Sequence, residues 1–238
     1  MRVYFHLPYR QAEDVVVRAH ANDKVPSVPD YSTIINRRIN KLDITISERI
    51  GNDIVIALDS TGIKITNRGE WLPPHKWNVR KGYLKIHVVA VDIKEKKIVS
   101  LEVTSEEIHD DGSRLRNLVD NALENNTLKT VIADGAYDSK QNFTYLYDSN
   151  IEAAIKVRRN SSCRFKGCNP RRKVVLQQLK NLEKWKSSVS YGQRWIVESV
   201  FSSIKRMFGE YVSARRFPNM VKEMMLKASL YNMFITMK

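Results

Sequence analysis

Acidic residues run short in the last third of this 238-residue chain. Residues 151–238 hold 5 Asp and Glu against 19 Lys and Arg, whereas residues 1–150 hold 21 of each. The whole formal charge of +14 therefore lies in the C-terminal third. So lopsided a charge points to a polyanion partner, nucleic acid first, approached mainly by that third. Cysteine is nearly missing. Cys163 and Cys168 make no disulfide framework, and a reducing cytoplasm is the expected compartment. No apolar run approaches the roughly 18 residues that span a bilayer, so no membrane partner is expected. The opening MRVYFHLPYRQAED carries charges where a secretory signal would be apolar. Repeats and low-complexity tracts are absent as well. What remains is a foldable composition, 42% hydrophobic and 28% charged, which excludes wholesale disorder. The length suits one large domain, or one domain with a small appendage.

The first residues, MRVYF, read like the end of an apolar element already under way, so a further upstream segment is expected. YRQAEDVVVRAH (9–20) reads as a short helix. Pro26 and Pro29 then break the chain, and Asp30 or Ser32 can cap a second helix over 31–42. That second helix sets Ile34, Ile35, Ile39 and Leu42 against Arg37, Arg38 and Lys41. Two short helices around a turn are compatible with a helix-turn-helix, and Arg37 and Arg38 are its candidate DNA contacts. Residues 1–48 are therefore read as a helical, incomplete DNA-binding segment, and 49–238 as the main domain.

Past residue 50 the period changes. DIVIALDST (53–61), GYLKIHVVAVD (82–92) and KIVSLEVTS (97–105) read as strands, the last two as a hairpin. In 110–125, Leu115, Leu118, Val119, Ala122 and Leu123 fall at helical spacing. TVIADGAYD (130–138) is a fourth strand, 139–149 a helix and IEAAIKV (151–157) a fifth strand. Three strands, helix, strand, helix, strand suits a mixed five-stranded sheet flanked by helices, an α/β arrangement of RNase H-like kind that several folds share. Residues 158–189 form a basic insertion ending in a helix with Leu176, Leu179 and Leu182. A strong amphipathic helix follows over 190–208. The last helix, 219–237, carries Met220, Met224, Met225 and Tyr231 and reads as a cover for the core.

Three carboxylates stand where joint chemistry is feasible. Asp59 ends the apolar run of the first strand, Asp134 ends the fourth, and Glu198 lies on the late helix. Strand-end carboxylates build sites in open α/β sheets. Directly after apolar residues they are costly to bury unless paired or bound to metal, although each alone also suits a plain cap. Together they would form an all-oxygen site for Mg²⁺ or Mn²⁺. At about 100° per residue, Arg194, Glu198 and Lys205 fall within about 40° of one another, and Tyr191 about 20° further round. Val197, Val200, Phe201, Ile204 and Phe208 form the neighbouring apolar stripe. The row suits either a solvated face or a metal carboxylate flanked by phosphate-binding cations.

YGQRWIVESVFSSIKR (191–206) fits Y-x2-R-x3-E-x6-K, and in that it resembles the insertion-sequence transposases of the DDE type, in the four/five groups. ALDSTG around Asp59, YLKIHVVAVD around His87 and IADGAYD around Asp134 agree, as do LPYRQAED and VPDYSTIINRRINKL upstream. The resemblance runs from about residue 4 to 236. It implies an RNase H-like catalytic domain with Asp59, Asp134 and Glu198 as the metal-binding triad. Tyr191, Arg194 and Lys205 match accessory positions that hold DNA phosphates. The implied activity is metal-dependent cleavage at transposon ends and strand transfer into target DNA, with two Mg²⁺ or Mn²⁺ ions. The implied partners are double-stranded DNA and a second copy of the chain on it, in the nucleoid. The 63 residues between Asp134 and Glu198 leave no room for the large β-rich insertion of some relatives. A nuclease without strand transfer, or a domesticated copy that only binds DNA, are the competing readings.

Weaker signals complete the reading. A loop with Arg68, Lys76, Arg80 and Lys81, and the 156–186 region, would track phosphates. His87 suits the site or a satisfied core position equally. Asp111 and Asp138 read as turn or cap residues before metal neighbours. Gly135 suits a tight turn, and no phosphate-loop motif exists. Cys163-x4-Cys168 lacks a second pair for zinc.

Overall fold

Twelve consecutive residues, Ile54–Ile65, form β1, the centre of the sheet in the computed structural model of the chain. The structure describes residues 2–5, 7–22, 24, 26–28, 30, 32, 46, 49–65, 83–91 (as backbone), 95–105, 112–164 and 167–237. The expected helix over 31–42 with Arg37 and Arg38 lies outside the described residues. So do Asp111 and the loop carrying Arg68, Lys76, Arg80 and Lys81.

β2 (Tyr83–Val91) pairs antiparallel with β1, and β3 (Ile98–Ser105) antiparallel with β2. β4 (Leu128–Ala133) lies parallel to β1 on its other side, and β5 (Glu152–Ile155) parallel to β4. The order β3-β2-β1-β4-β5 is the RNase H-like mixed sheet that the sequence pattern suggested. One addition escaped the sequence. A two-residue strand, β6 (Tyr211–Val212), runs parallel to the end of β1 at Lys64 and Ile65. Two residues carry no period to read.

β1 is apolar on both faces because helices cover both. Ile54, Ile56 and Leu58 join one core cluster, while Ala57 and Ile63 join the other. The period of 2 then fixes the site, since the side of Ala57 and Ile63 is also the side of Asp59 and Thr61. The first face carries α3 (Leu115–Leu123) and α4 (Lys140–Asp148), which contribute Leu115, Leu118, Val119, Ala122, Phe143 and Leu146. The second face carries α7 (Trp195–Phe208) and α8 (Phe217–Thr236). All five residues of the expected α7 stripe are buried. α8 buries Met220, Met224, Ala228 and Tyr231, so the Met-rich helix does cover the core.

At the N-terminus, α1 (Arg2–Phe5) docks on α7 and α8, with the Tyr4 ring 6.2 Å from Phe208 and 5.2 Å from Phe234. α2 (Tyr9–Ala21) follows, burying Ala12. No helix among the described residues is long and apolar enough to cross a membrane.

The basic insertion folds as two helices where one was expected, α5 (Asn169–Lys180) and α6 (Leu182–Ser188), and of its three leucines Leu182 packs against the core. Leu176 and Leu179 are exposed, whereas Val175 and Gln178 are buried. The reason is the open edge of β5, whose peptide groups need partners. The Gln178 amide accepts from Val157 N (3.1 Å) and donates to Ile155 O (2.9 Å), as another strand would.

Candidate active site

Asp59 and Asp134 meet because β1 and β4 are parallel neighbours. Ala57 stands beside Ile132, so two steps on bring residue 59 beside residue 134. β4 ends earlier than the sequence suggested, at Ala133, because Asp134 stops it. The Asp134 carboxylate accepts from Ala136 N (2.8 Å) and caps a one-turn 3-10 helix, Gly135–Tyr137. Asp59 Oδ1 accepts from the next backbone amide, Ser60 N, at 2.9 Å.

The third carboxylate arrives on α7. Its approach differs from the sequence expectation, since Tyr191–Arg194 is a separate 3-10 turn and α7 proper starts at Trp195. Ser190, with φ 52°, is the left-handed residue that starts this turn. Tyr191 is thereby buried, its ring 5.3 Å from Trp185, instead of standing in an exposed row. Arg194 then reaches both ways. One terminal nitrogen is 2.7 Å from Asp59 Oδ2, and the other is 2.6 Å from Glu198 Oε1. Lys205 Nζ donates to Thr61 Oγ1 at 2.9 Å, two positions further along the same face of β1.

The electrostatics follow from burial and this crowding. Desolvation pushes the Asp59 carboxyl above the ordinary carboxylate value, and the neighbouring Asp134 charge adds to the rise. The Ser60 amide and Arg194 oppose it without cancelling it. Burial likewise raises the Tyr191 hydroxyl, helped by Asp134 and Asp59, which puts Tyr191 within the field of both carboxylates. Burial alone would weaken the Arg194 charge, but Asp59 and Glu198 hold it above its usual value. A carboxyl raised in the fold contributes stability below its unfolded value of about 3.9 and loses it as pH rises through the raised one. At neutral pH the ionised Asp59 therefore costs stability. Asp59→Asn is expected to leave the Tm in EDTA unchanged or higher, as read by scanning calorimetry. A clear fall would mean that the Arg194 pair outweighs burial.

A fourth carboxylate does more than the turn role assigned to it. The Asp138 side chain is fully buried. It accepts from Arg171 Nε (2.7 Å), Arg171 Nη2 (2.9 Å), Arg158 N (3.0 Å) and Ser161 Oγ (3.2 Å). Arg171 was read only as part of a basic, phosphate-tracking region, and its partner lies 33 residues away. Thr61 was missed too, although its spacing of two from Asp59 was a usable signal.

Among the described residues, no group of three or more His, Cys, Asp or Glu stands close enough to hold one ion together. Asp59 and Asp134 are neighbours, and Glu198 is joined to Asp59 through Arg194. The donor set nevertheless fits a hard divalent cation. It is all oxygen, and the raised Asp59 carboxyl marks a place where positive charge is needed. His87 pairs by its backbone with Ser60 and Glu102. Cys163 is exposed and Cys168 buried, with no zinc cluster among the described residues.

A family profile described as "Transposase DDE domain" matches residues 51–233, which include all three carboxylates. The chain belongs to the DDE transposase family. A second profile with the same description matches residues 1–68, so the likeness extends through α1 and α2. Members of this transposase family generally use divalent metal ions. Among solved structures, the domain is similar to a chain of the piggyBac transposase synaptic complex with hairpin DNA. That match has 10% identity and a TM-score of 0.43, and it covers 76% of this chain and 46% of the other. It is similar as well to a chain of the simian T-cell lymphotropic virus intasome in complex with the PP2A regulatory subunit B56 gamma. Here identity is 12% and the TM-score 0.33, with 66% and 49% covered. The transposase chain thus spans about half the length of these two solved chains.

Proposed function

We propose that this DDE transposase cuts DNA at the ends of an insertion sequence of the four/five groups and joins the exposed 3′-hydroxyls to target DNA. The observation that carries the reading is Arg194 spanning Asp59 of β1 and Glu198 of α7, beside Asp134. Asp59 and Asp134 would share the Mg²⁺ or Mn²⁺ ions, and Glu198 would complete the second place. Bound there, such ions would supply activation of a water or 3′-hydroxyl and charge stabilisation of the leaving oxygen. Arg194 keeps the acidic residues compensated before DNA arrives, then offers its planar fork to a phosphate. Lys205, fixed by Thr61, adds a point charge on the same side. Buried Tyr191 walls the site and holds its hydroxyl proton. Arg37 and Arg38 in segment 1–48, and Lys76, Arg80 and Lys81 ahead of the second strand, add contacts to the duplex. The protein acts as a homodimer on two DNA ends, in the nucleoid.

The test is incubation with Mg²⁺, a duplex carrying the element's terminal repeats, and a target plasmid. Joined products support the reading. Cuts without joining make the protein a nuclease, and binding without cuts makes it a DNA-binding derivative. Arg194→Gln and Lys205→Gln are each expected to lower the rate of cutting by about tenfold to a hundredfold, the scale of lost charge-assisted contacts.

A further inference from the structure

The basic segment after β5 contains two exposed arginines that are anchored through Nε. Arg172 Nε is used on Cys163 O (3.1 Å), and Arg171 is consumed by Asp138. Arg158 differs in where it is held, beside the residue that follows Asp134. Its backbone N–H is held by Asp138 Oδ2 at 3.0 Å, and its Nε donates to Gly135 O at 3.1 Å. Its stem runs along the Gly135 backbone, since a Cβ added there would lie 3.8 Å from Arg158 Cγ. Gly135 directly follows Asp134. The residue is nevertheless exposed, and among the described residues the two terminal nitrogens have no protein acceptor.

We propose that Arg158 is a second phosphate anchor of the active site, binding a backbone phosphate of the DNA strand that crosses Asp134. Strand order supports this. β4 lies between β1 and β5, so Asp134 has Arg194 and Lys205 on the β1 side and Arg158 on the β5 side. A strand laid past Asp59 in mid-β1 and across the C-terminal ends of β4 and β5 meets cations on both flanks of the acidic pair. The anchored Nε removes one degree of freedom, and the free pair of N–H groups matches phosphate oxygens in a planar fork. Lysine has no equivalent geometry. The inference rests on the proposed function, because it takes DNA as the ligand.

The experiment is anisotropy of a fluorescein-labelled mixed-sequence duplex titrated with the full chain in EDTA at several salt concentrations, alongside cleavage in Mg²⁺. Arg158→Ala is expected to weaken binding about tenfold and to lower the salt slope by about one. Arg158→Gln, which can still donate to Gly135 O and so preserve the turn, is expected to do the same. Arg159→Ala removes the same charge from the next exposed residue, without the anchor, and is expected to stay within about twofold. Equal effects of Arg158→Gln and Arg159→Ala on affinity and slope would overturn the proposal. Asp134→Asn separates the two claims. If it still cuts DNA, the catalytic reading fails, while the Arg158 contact is judged by binding alone.

Discussion

Asp134→Asn is expected to abolish strand cleavage while leaving DNA binding and the fold in place. Asp134, just past the end of β4, stands beside Asp59 in the middle of the longer parallel strand β1, where the paired charges are the reason to hold a cation. Asparagine keeps the shape and can still accept from Ala136 N, the bond that caps the turn. Only the charge goes. Losing several kcal/mol of transition-state stabilisation at such a site corresponds to a fall of about 10³-fold or more. Single-turnover cleavage of end-labelled DNA measures it, with anisotropy and Tm as controls. Retained cleavage with Asp134→Asn would remove Asp134 from the chemistry. The same assay on Glu198→Gln asks whether the carboxylate held by Arg194 in this structure takes part when DNA is cut.

Arg171→Ala is expected to be the most destabilising single substitution in the domain. It leaves Asp138 ionised, fully buried and short of its bidentate partner. Breaking one half of a buried ion pair costs about 3–5 kcal/mol. For a chain of this size that lowers the Tm by about 10 °C, readable by circular dichroism. Asp138→Asn should cost less, since its amide oxygen can still accept from Arg158 N or Arg171. The pH dependence has a fixed sign. Burial works to raise the Asp138 carboxyl, but Arg171, the Arg158 amide and Ser161 outweigh it and hold the group below its ordinary value. Its contribution is therefore present above the unfolded value of about 3.9 and lost as pH falls through the lower, folded one. The wild type should lose more Tm than Asp138→Asn on going from pH 5 to pH 3. An equal loss in both would contradict the pair.

The legible part of this protein was the part written in local periods. Short apolar, β-branched runs marked β1 to β5, and Val197, Val200, Phe201, Ile204 and Phe208 marked the buried face of α7. Asp59, Asp134 and Glu198 were legible because each ends or interrupts an apolar run. Leu176 and Leu179 misled, because they hold helical spacing yet face solvent. The helix turns Gln178 inward to serve the edge of β5, a need that no window around residue 178 contains.

The sequence by itself determined the order of elements, the charge imbalance and the residue types available for chemistry. These depend on neighbours within one or two turns of chain. The tertiary structure decided which charges meet. Arg194 lies 135 residues from Asp59, Lys205 lies 144 from Thr61 and Arg158 lies 23 from Gly135. Such pairs exist only after β1, β4 and β5 lie side by side and α7 packs on β1. Opposite charges attract at short range whatever their separation in sequence, so packing, not spacing, selects the partner.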